Sequence, residues 1–263
     1  MIQTVFSRYE KKYLMPEHIY LELRKRLAEH MKEDKYGLHT ICNIYYDTAD
    51  DLLIRRSIEK PTYKEKLRLR SYGTASANST VFLEIKKKCD RIVTKRREPM
   101  TLTQAMDYTV RGVRPAINTQ IMNELDFFLE RYDLSPRIFL AYDRIALFGL
   151  EDGEFRVTFD QSVRSRRQEV ALDAGDHGEK LLDDGYYIME SKVSGATPLW
   201  FTRILSELKL YPTSFSKYGN IYKKEMGKWD LSSQIVHRQR NWSAVSLPEP
   251  ENEIQPERRL LVC

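Results

Sequence analysis

Apolar and polar residues alternate along several segments of the chain, and a period of two is typical of β-strands that bury one face. The strand candidates are residues 4–15, 39–48, 63–73, 81–98, 136–149, 155–165 and 185–194. Gly73 is followed by a small polar loop, and Asp152-Gly153 is a turn signal, so both places indicate hairpin connections. The sequence therefore predicts a large and mainly antiparallel sheet.

Apolar residues that recur every third or fourth position predict helices between these strands. Residues 16–35 carry Ile19, Leu23, Leu27 and Met31 at a spacing of four, which predicts one helix with a single apolar stripe. The other helix candidates are residues 101–112, 115–133 and 197–210. Residues 212–226, which receive no assignment, close the ordered part of the chain. This order of elements predicts an α+β fold.

The domain organisation follows from a change in composition near Lys228. Residues 1–227 are predicted to form one domain, and residues 228–263 are polar and rich in Pro and Glu, which predicts a poorly ordered tail. No apolar run reaches the roughly 18–20 residues of a membrane span, and the first residues lack the apolar core of a signal peptide. A cytoplasmic location is therefore expected.

Composition and charge exclude several functions. The chain has 263 residues, 43 Lys and Arg against 38 Asp and Glu, and a net charge of +5, which is too small for a general nucleic-acid coat. Three cysteines without CxxC spacing argue against a disulfide framework or a zinc site. Any basic function must therefore come from a local arrangement of charges.

Basic residues recur at every second position of the predicted strands, so they share strand faces. In residues 63–73, Lys66, Arg68 and Arg70 lie on one face while Leu67 and Leu69 lie on the other. The same alternation groups Arg8, Glu10 and Lys12; Glu84, Lys86 and Lys88; Arg156, Thr158 and Asp160; and Ile188, Glu190 and Lys192. Arg144 lies within a further strand. Each of these faces carries at most one carboxylate.

Two arrangements explain such faces. Each face could be the solvated side of an antiparallel sheet, although like charges on neighbouring strands destabilise the pairing. Alternatively, the sheet curls into a barrel whose apolar outer side is coated with helices and whose basic side faces inward. Guanidinium and ammonium groups in that interior would suit a chain of phosphates, and the few carboxylates would suit Mg²⁺ or Mn²⁺.

Eight short motifs, taken in order, resemble one protein family. The motifs are RYEKKYL, IYYDT, KLRLRSYG, FLEIKKK, YDRIAL, RVTFD, MESKV and SFSKYG. Together they are similar to the VTC-type (vacuolar transporter chaperone) polyphosphate polymerases, a branch of the CYTH-like triphosphate tunnel metalloenzymes, and the resemblance covers roughly residues 3–226. Arg8 replaces the first glutamate of the opening ExExK-type motif. This replacement fits the polymerase branch rather than the triphosphatase and cyclase branches.

The resemblance implies a fold, an activity and a set of site residues. It implies an antiparallel β-barrel tunnel with a helical coat, in which the γ-phosphoryl group of ATP is transferred to a growing polyphosphate with help from Mn²⁺ or Mg²⁺. The catalytic candidates are Lys217, Arg144, Arg156 and Lys86. The phosphate-binding candidates are Arg8, Glu10, Lys12, Lys66, Arg68, Arg70, Lys88 and Lys192. Glu190 is the metal candidate, and whether Lys95 or Arg96 faces the tunnel stays open.

Two other functions remain compatible with the residues. The same tunnel could hydrolyse triphosphate or nucleotide substrates, since only the attacking group differs, or it could bind polyphosphate without catalysis. The expected partners are ATP and polyphosphate, without nucleic acid. A membrane partner that moves the product is possible, and the oligomeric state is left open.

Overall fold

The computed structural model describes residues 9–90 and 92–231 of the chain, which form ten strands and six helices. The strands are β1 (Tyr9–Pro16), β2 (Met31–Glu33), β3 (His39–Asp47), β4 (Tyr63–Tyr72), β5 (Thr80–Cys89), β6 (Ile92–Thr101), β7 (Ser135–Gly149), β8 (Arg156–Arg166), β9 (Glu179–Lys180) and β10 (Tyr186–Val193). The helices are α1 (Glu17–Leu27), α2 (Leu52–Ile58), α3 (Leu102–Arg111), α4 (Gln120–Arg131), α5 (Leu199–Glu207) and α6 (Lys217–Glu225).

All ten strands belong to one antiparallel sheet, which confirms the predicted α+β class. The hydrogen-bonded order is β1-β10-β8-β7-β3-β4-β5-β6, with β2 on β7 and β9 on β8. Within the described residues no pairing joins β1 to β6, so the ladder of this barrel-like sheet is open. Glu10 of β1 and Lys86 of β5 nevertheless interact electrostatically. The sheet therefore curls until strands near its two edges face each other across an enclosed space, which we call the lumen.

Helices coat the outer side of the curled sheet with two apolar cores. One core packs α3 and α4 against β3 to β6, and Leu67 and Leu69 are fully buried in it. The other packs α1 and α5 against β1, β8 and β10, with Ile19, Leu23 and Phe201 fully buried. The outward side of each strand is thus the apolar one, and the charged side faces the lumen.

A third apolar cluster closes one end of the lumen. Phe215, Tyr218 and Ile221, from α6 and the segment before it, pack with inward-facing residues such as Leu14 and Ile188. Helix α6 begins at a capped end, because the Ser216 hydroxyl accepts a hydrogen bond from the backbone N–H of Gly219.

Buried Asp47 ties α6 to α2. Its carboxylate accepts backbone hydrogen bonds from Leu53 and Ile54 at the start of α2 and one from the Tyr218 hydroxyl. Helix α2 and helix α6, the latter within residues 212–226, lie where no helix was predicted from the sequence. Among the helices of residues 9–90 and 92–231, none is both long and apolar enough to span a bilayer.

Two predicted element boundaries were wrong. The helix predicted over residues 16–35 ends at Leu27, and Met31 instead begins β2, which pairs with β7. The segment 81–98 is two strands, β5 and β6, that separate at a turn in which Asp90 has a φ of 51°. The predicted tail from residue 228 lies almost wholly outside the described residues and stays a prediction.

Candidate functional site

The inner face of β4 carries the basic residues that the alternation predicts. Lys66, Arg68 and Arg70 point into the lumen, because the leucines between them occupy the outer core. The neighbouring strand β5 places Glu84 opposite Arg68 and Lys86 opposite Lys66. Adjacent antiparallel strands therefore bring basic side chains and a single carboxylate together on one wall.

Four cations surround Glu190 on the opposite wall. Glu190 Oε1 lies 3.1 Å from Lys12 Nζ and 3.7 Å from Lys217 Nζ. Glu190 Oε2 lies 3.3 Å from Lys192 Nζ and 3.9 Å from Arg144 Nη2. Burial alone would raise the pKa of Glu190, but these cations outweigh it and hold the pKa well below its usual range. Glu190 is therefore a permanent carboxylate.

Asp160 is the second carboxylate of this wall, and the sequence did not single it out as a site residue. It is fully buried and accepts two hydrogen bonds from Arg144, at 2.6 Å from Nε and 2.8 Å from Nη2. It also forms a short ion pair with Lys217. We call Glu190, Asp160, Lys12, Arg144, Lys192 and Lys217 the central cluster. Asp160 fixes two of its cations in place.

The pairing register of the strands brings the residues of the central cluster together. Arg144 of β7 pairs directly with Asp160 of β8, and Lys12 of β1 pairs with Glu190 of β10. Lys217 arrives from α6, which enters the lumen from its closed end. Its ammonium group also lies 4.4 Å from the ring centroid of Tyr142. Strand pairing and one inserted helix thus build the cluster from five elements.

Glu84 is the carboxylate around which the cations of the other wall, on β4 and β6, are grouped. Its carboxylate lies 2.5 Å from Arg68 Nε, 2.6 Å from Lys95 Nζ and 4.0 Å from Arg70 Nε. Burial would raise the pKa of Glu84, yet the three cations lower it strongly. Lys95 therefore faces the lumen. Arg96 points outward instead, where it donates a hydrogen bond to Glu124 of α4. Of the two residues that the sequence left open, Lys95 is therefore the one that faces the lumen.

Neutral acceptors orient the two arginines of β4. Arg70 donates to Asn43 Oδ1 at 3.0 Å and to the Tyr142 hydroxyl at 3.1 Å. Arg68 donates to the Tyr45 hydroxyl at 3.3 Å. These partners fix the guanidinium groups without neutralising them, because phenol and amide oxygens carry no full charge. Such prepositioned cations are suited to an anionic ligand.

Several lysines of the lumen have a lowered pKa because they are buried close to other cations. Burial, together with nearby Lys86, lowers the pKa of Lys66 to about 8. Burial also lowers the pKa of Lys86. Burial, together with Arg68 and Arg70, lowers the pKa of Lys95 to about 7 although Glu84 opposes the change. A polyanion in the lumen would relieve this repulsion.

The remaining predicted residues that the structure describes border these clusters or lie on the strands that carry them. Arg156 is opposite Lys192 in the β8–β10 pairing, and its guanidinium lies 4.2 Å from the Phe148 ring centroid. Lys88 is opposite Lys64. Glu10 lies 3.5 Å from Lys12 Nζ, so it borders the central cluster. Arg8 lies outside the described residues.

The carboxylates near Lys12 limit how a metal could bind. No group of three or more His, Cys, Asp or Glu side chains with metal-binding geometry occurs among the described residues. Magnesium and manganese are commonly held by one or two carboxylates together with substrate phosphates. Glu190, with Glu10 beside it, fits a metal that shares its ligands with a bound phosphate chain, and it does not fit an all-protein metal cage.

Comparison with solved structures supports the tunnel fold. A candidate adenylate cyclase from Bacillus halodurans superposes with a TM-score of 0.52 at 15% identity, covering 81% of this chain and 96% of that one. A candidate adenylyl cyclase from Hippeastrum, described as having a dominant triphosphatase activity, gives a TM-score of 0.50 at 14% identity and covers 86% and 98%. At such identities the similarity shows the fold alone.

Comparison at the level of sequence identifies the family. No curated protein matches the chain. The family model described as the VTC domain matches residues 7–225, which include every strand and helix of the described residues. The match also contains all the lumen residues of both walls. The chain therefore belongs to the VTC domain family.

Proposed function

We propose that the protein is an ATP-dependent polyphosphate polymerase whose lumen holds the triphosphate of ATP and the growing chain. The observation that carries this proposal is the composition of the lumen: two buried walls of cations, each organised by one or two carboxylates, in a VTC domain. Lumen cations outnumber lumen carboxylates, and several lysines carry a lowered pKa. A linear polyanion would complete this charge distribution.

The reaction needs no nucleophile from the protein. An oxygen of the terminal phosphate of the chain attacks the γ-phosphorus of ATP, the bond from that phosphorus to the β–γ bridging oxygen breaks, and ADP leaves. The chain is then one phosphate longer. Such transfers depend on alignment of the reactants and on neutralisation of charge around the transferred group. Both can come from fixed side chains.

Individual residues take roles that follow from their surroundings. Arg68 and Arg70 would bind phosphate oxygens of the donor, because their side chains are held by Tyr45, Asn43 and Tyr142. Arg144 and Lys217 would stabilise charge on the transferred group from the other wall. Asp160 would keep these two cations positioned. Lys12, Lys86 and Lys192 would bind further phosphates.

A divalent cation would be held by Glu190 and Glu10 together with phosphate oxygens. Mg²⁺ or Mn²⁺ in this place would supply charge neutralisation and would fix the phosphate oxygens relative to one another. Glu190 stays ionised because its neighbours lower its pKa, so it would be a competent ligand throughout the physiological range.

Incubation of the purified protein with ATP and Mn²⁺ or Mg²⁺ tests the proposal. We expect ADP and a ladder of long polyphosphate on a gel that resolves chain length. If orthophosphate is formed in amounts equal to ADP and no chain grows, the protein is a hydrolase instead. The triphosphatase activity described for the Hippeastrum protein favours this alternative. Tight binding of phosphate chains with no turnover under any metal or primer condition would instead support a binding module.

Affinity for inorganic tripolyphosphate is expected to fall as the pH rises from about 6 to about 9. A lysine is charged below its pKa, so Lys95, with a pKa of about 7, and Lys66, with a pKa of about 8, lose their charge across this window. Loss of one charge-assisted contact weakens binding on the order of tenfold. Titration calorimetry at constant ionic strength measures the effect.

The Lys66→Arg variant is the control for this pH dependence. Arginine stays charged across the window, so its affinity should fall less steeply than that of the unmodified protein. The ionisation of tripolyphosphate itself is common to both proteins and cancels in the comparison. Identical slopes for the two proteins would show that Lys66 does not contact the ligand.

A further inference from the structure

Aromatic side chains line the mouth of the lumen that lies opposite α6. On β4 the inner row runs from Lys66, whose ammonium lies 5.7 Å from the ring centroid of Tyr218 in α6, through Arg68 and Arg70 to Tyr72. On β3 the inner row begins at His39 and ends near α6, where Tyr45 contacts Tyr218. Tyr72 and His39 therefore mark the end away from the helix.

These aromatic side chains form one connected series. The ring centroids of Tyr36 and His39 are 6.2 Å apart, those of His39 and Tyr72 are 6.1 Å apart, and those of Tyr72 and Phe82 are 5.9 Å apart. Arg97 extends the series, because its guanidinium lies 4.7 Å from the Phe82 centroid. We call Tyr36, His39, Tyr72 and Phe82 the aromatic rim.

The aromatic rim is accessible to a ligand. Tyr72 is 53% exposed and Tyr36 is 67% exposed, whereas most large aromatic residues of the sheet are buried. Exposed aromatic groups that form a patch commonly mark a binding surface. Lys35 Nζ lies 5.1 Å from the ring centroid of Tyr36, so the exposed ring of Tyr72 is the one that a flat group can stack on most directly.

The rim continues directly into the cationic lumen. Tyr72 lies two residues beyond Arg70 on the same face of β4, and Phe82 lies two residues before Glu84 on the same face of β5. At about 3.3 Å per residue, Tyr72 is about 13 Å along the strand from Arg68. This separation is comparable with the length of an extended nucleoside triphosphate. A ligand with a flat ring system at one end and several negative charges at the other could place the ring at the aromatic rim and the charges in the lumen.

We propose that the aromatic rim stacks the base of a nucleoside triphosphate while its phosphates enter the lumen toward Arg70 and Arg68. This inference rests on the proposed function, in which ATP is the phosphoryl donor. Stacking uses the face of the ring, which every base presents, so the rim would favour a nucleotide over an inorganic triphosphate rather than one base over another. After transfer, the nucleoside diphosphate would leave through the same mouth.

The test compares the affinities of ATP and inorganic tripolyphosphate for Tyr72→Ala and Phe82→Ala variants. Calorimetry is performed in EDTA so that neither ligand turns over. We expect the Kd for ATP to rise about tenfold in each variant and the Kd for tripolyphosphate to change less than about twofold. Tyr72→Phe, which keeps the ring, should bind ATP nearly as well as the unmodified protein. Phe127→Ala, at a 60% exposed position on the outer side of α4, is the matched control.

Two results would overturn the inference. One is an equal loss of affinity for both ligands, which would mean that the substitutions disturb the lumen itself. The other is an unchanged affinity for ATP in both variants. Retained tripolyphosphate binding reports that a variant is folded. Failure of the polymerase proposal would appear as missing polymer in the turnover assay and would leave this binding comparison interpretable.

Discussion

Replacing Lys217 with alanine is expected to lower the rate of phosphoryl transfer by about 10²–10³-fold and to leave the protein folded. Lys217 Nζ lies 3.7 Å from Glu190 Oε1, pairs closely with Asp160 and lies over the Tyr142 ring. Loss of one prepositioned group that stabilises transition-state charge costs roughly this factor. Initial rates of ADP formation at saturating ATP measure the loss.

The fold should survive this substitution because α6 is held by other side chains. Phe215, Tyr218 and Ile221 fill the closed end of the lumen, and the Tyr218 hydroxyl bonds to Asp47. Lys224→Ala is the matched control, since Lys224 lies near the other end of α6 and pairs with exposed Glu179. A rate for Lys217→Ala equal to that of this control would remove Lys217 from the proposed mechanism.

Replacing Asp160 with asparagine is expected to lower the free energy of unfolding by about 3–5 kcal/mol. Asp160 is fully buried and is the carboxylate that lies closest to both Arg144 and Lys217. Removing one partner from a buried ion pair leaves the other charge uncompensated, and losses of about this size result. Asparagine has nearly the same shape, so the effect reports charge rather than packing. Urea denaturation measures it.

A control and a rescue separate this effect from ordinary destabilisation. Asp184→Asn breaks an exposed pair with Lys180 and should cost no more than about 1 kcal/mol. Adding inorganic tripolyphosphate should restore stability to Asp160→Asn more than to the control, because a bound anion can replace the missing negative charge. A loss below about 1 kcal/mol for Asp160→Asn would show that the central cluster does not depend on Asp160.

Alternation along single strands was enough to predict which side chains share a strand face. In β4, leucines at positions 67 and 69 require Lys66, Arg68 and Arg70 to point the other way, whichever strands lie beside them. Alternation does not show whether that face points to solvent or into the interior of a curled sheet. The charged faces of the other strands, together with the eight motifs, indicated a curled sheet with its charged side inside, and the helix-coated leucines of β4 confirm it.

Features that depend on pairing could not be predicted from local pattern. Asp160 is an ordinary strand residue until the β7–β8 register sets it opposite Arg144 and α6 adds Lys217. The inward side of β6 depends on the turn at Asp90, which decides between Lys95 and Arg96. Met31 continues the apolar period of α1, yet pairing with β7 takes it into β2. Tertiary contacts decide all three cases.

Affinity for linear inorganic polyphosphates of increasing length tests the central claim, that the lumen binds a phosphate chain, most directly. The measurement is calorimetry at fixed ionic strength with ortho-, pyro-, tripolyphosphate and longer chains of defined length. We predict that affinity rises with each added phosphate until the chain spans both walls, and then stays level, because more lumen cations are engaged at each step. Equal affinity for orthophosphate and for every longer chain, or no binding of any of them, would contradict the account.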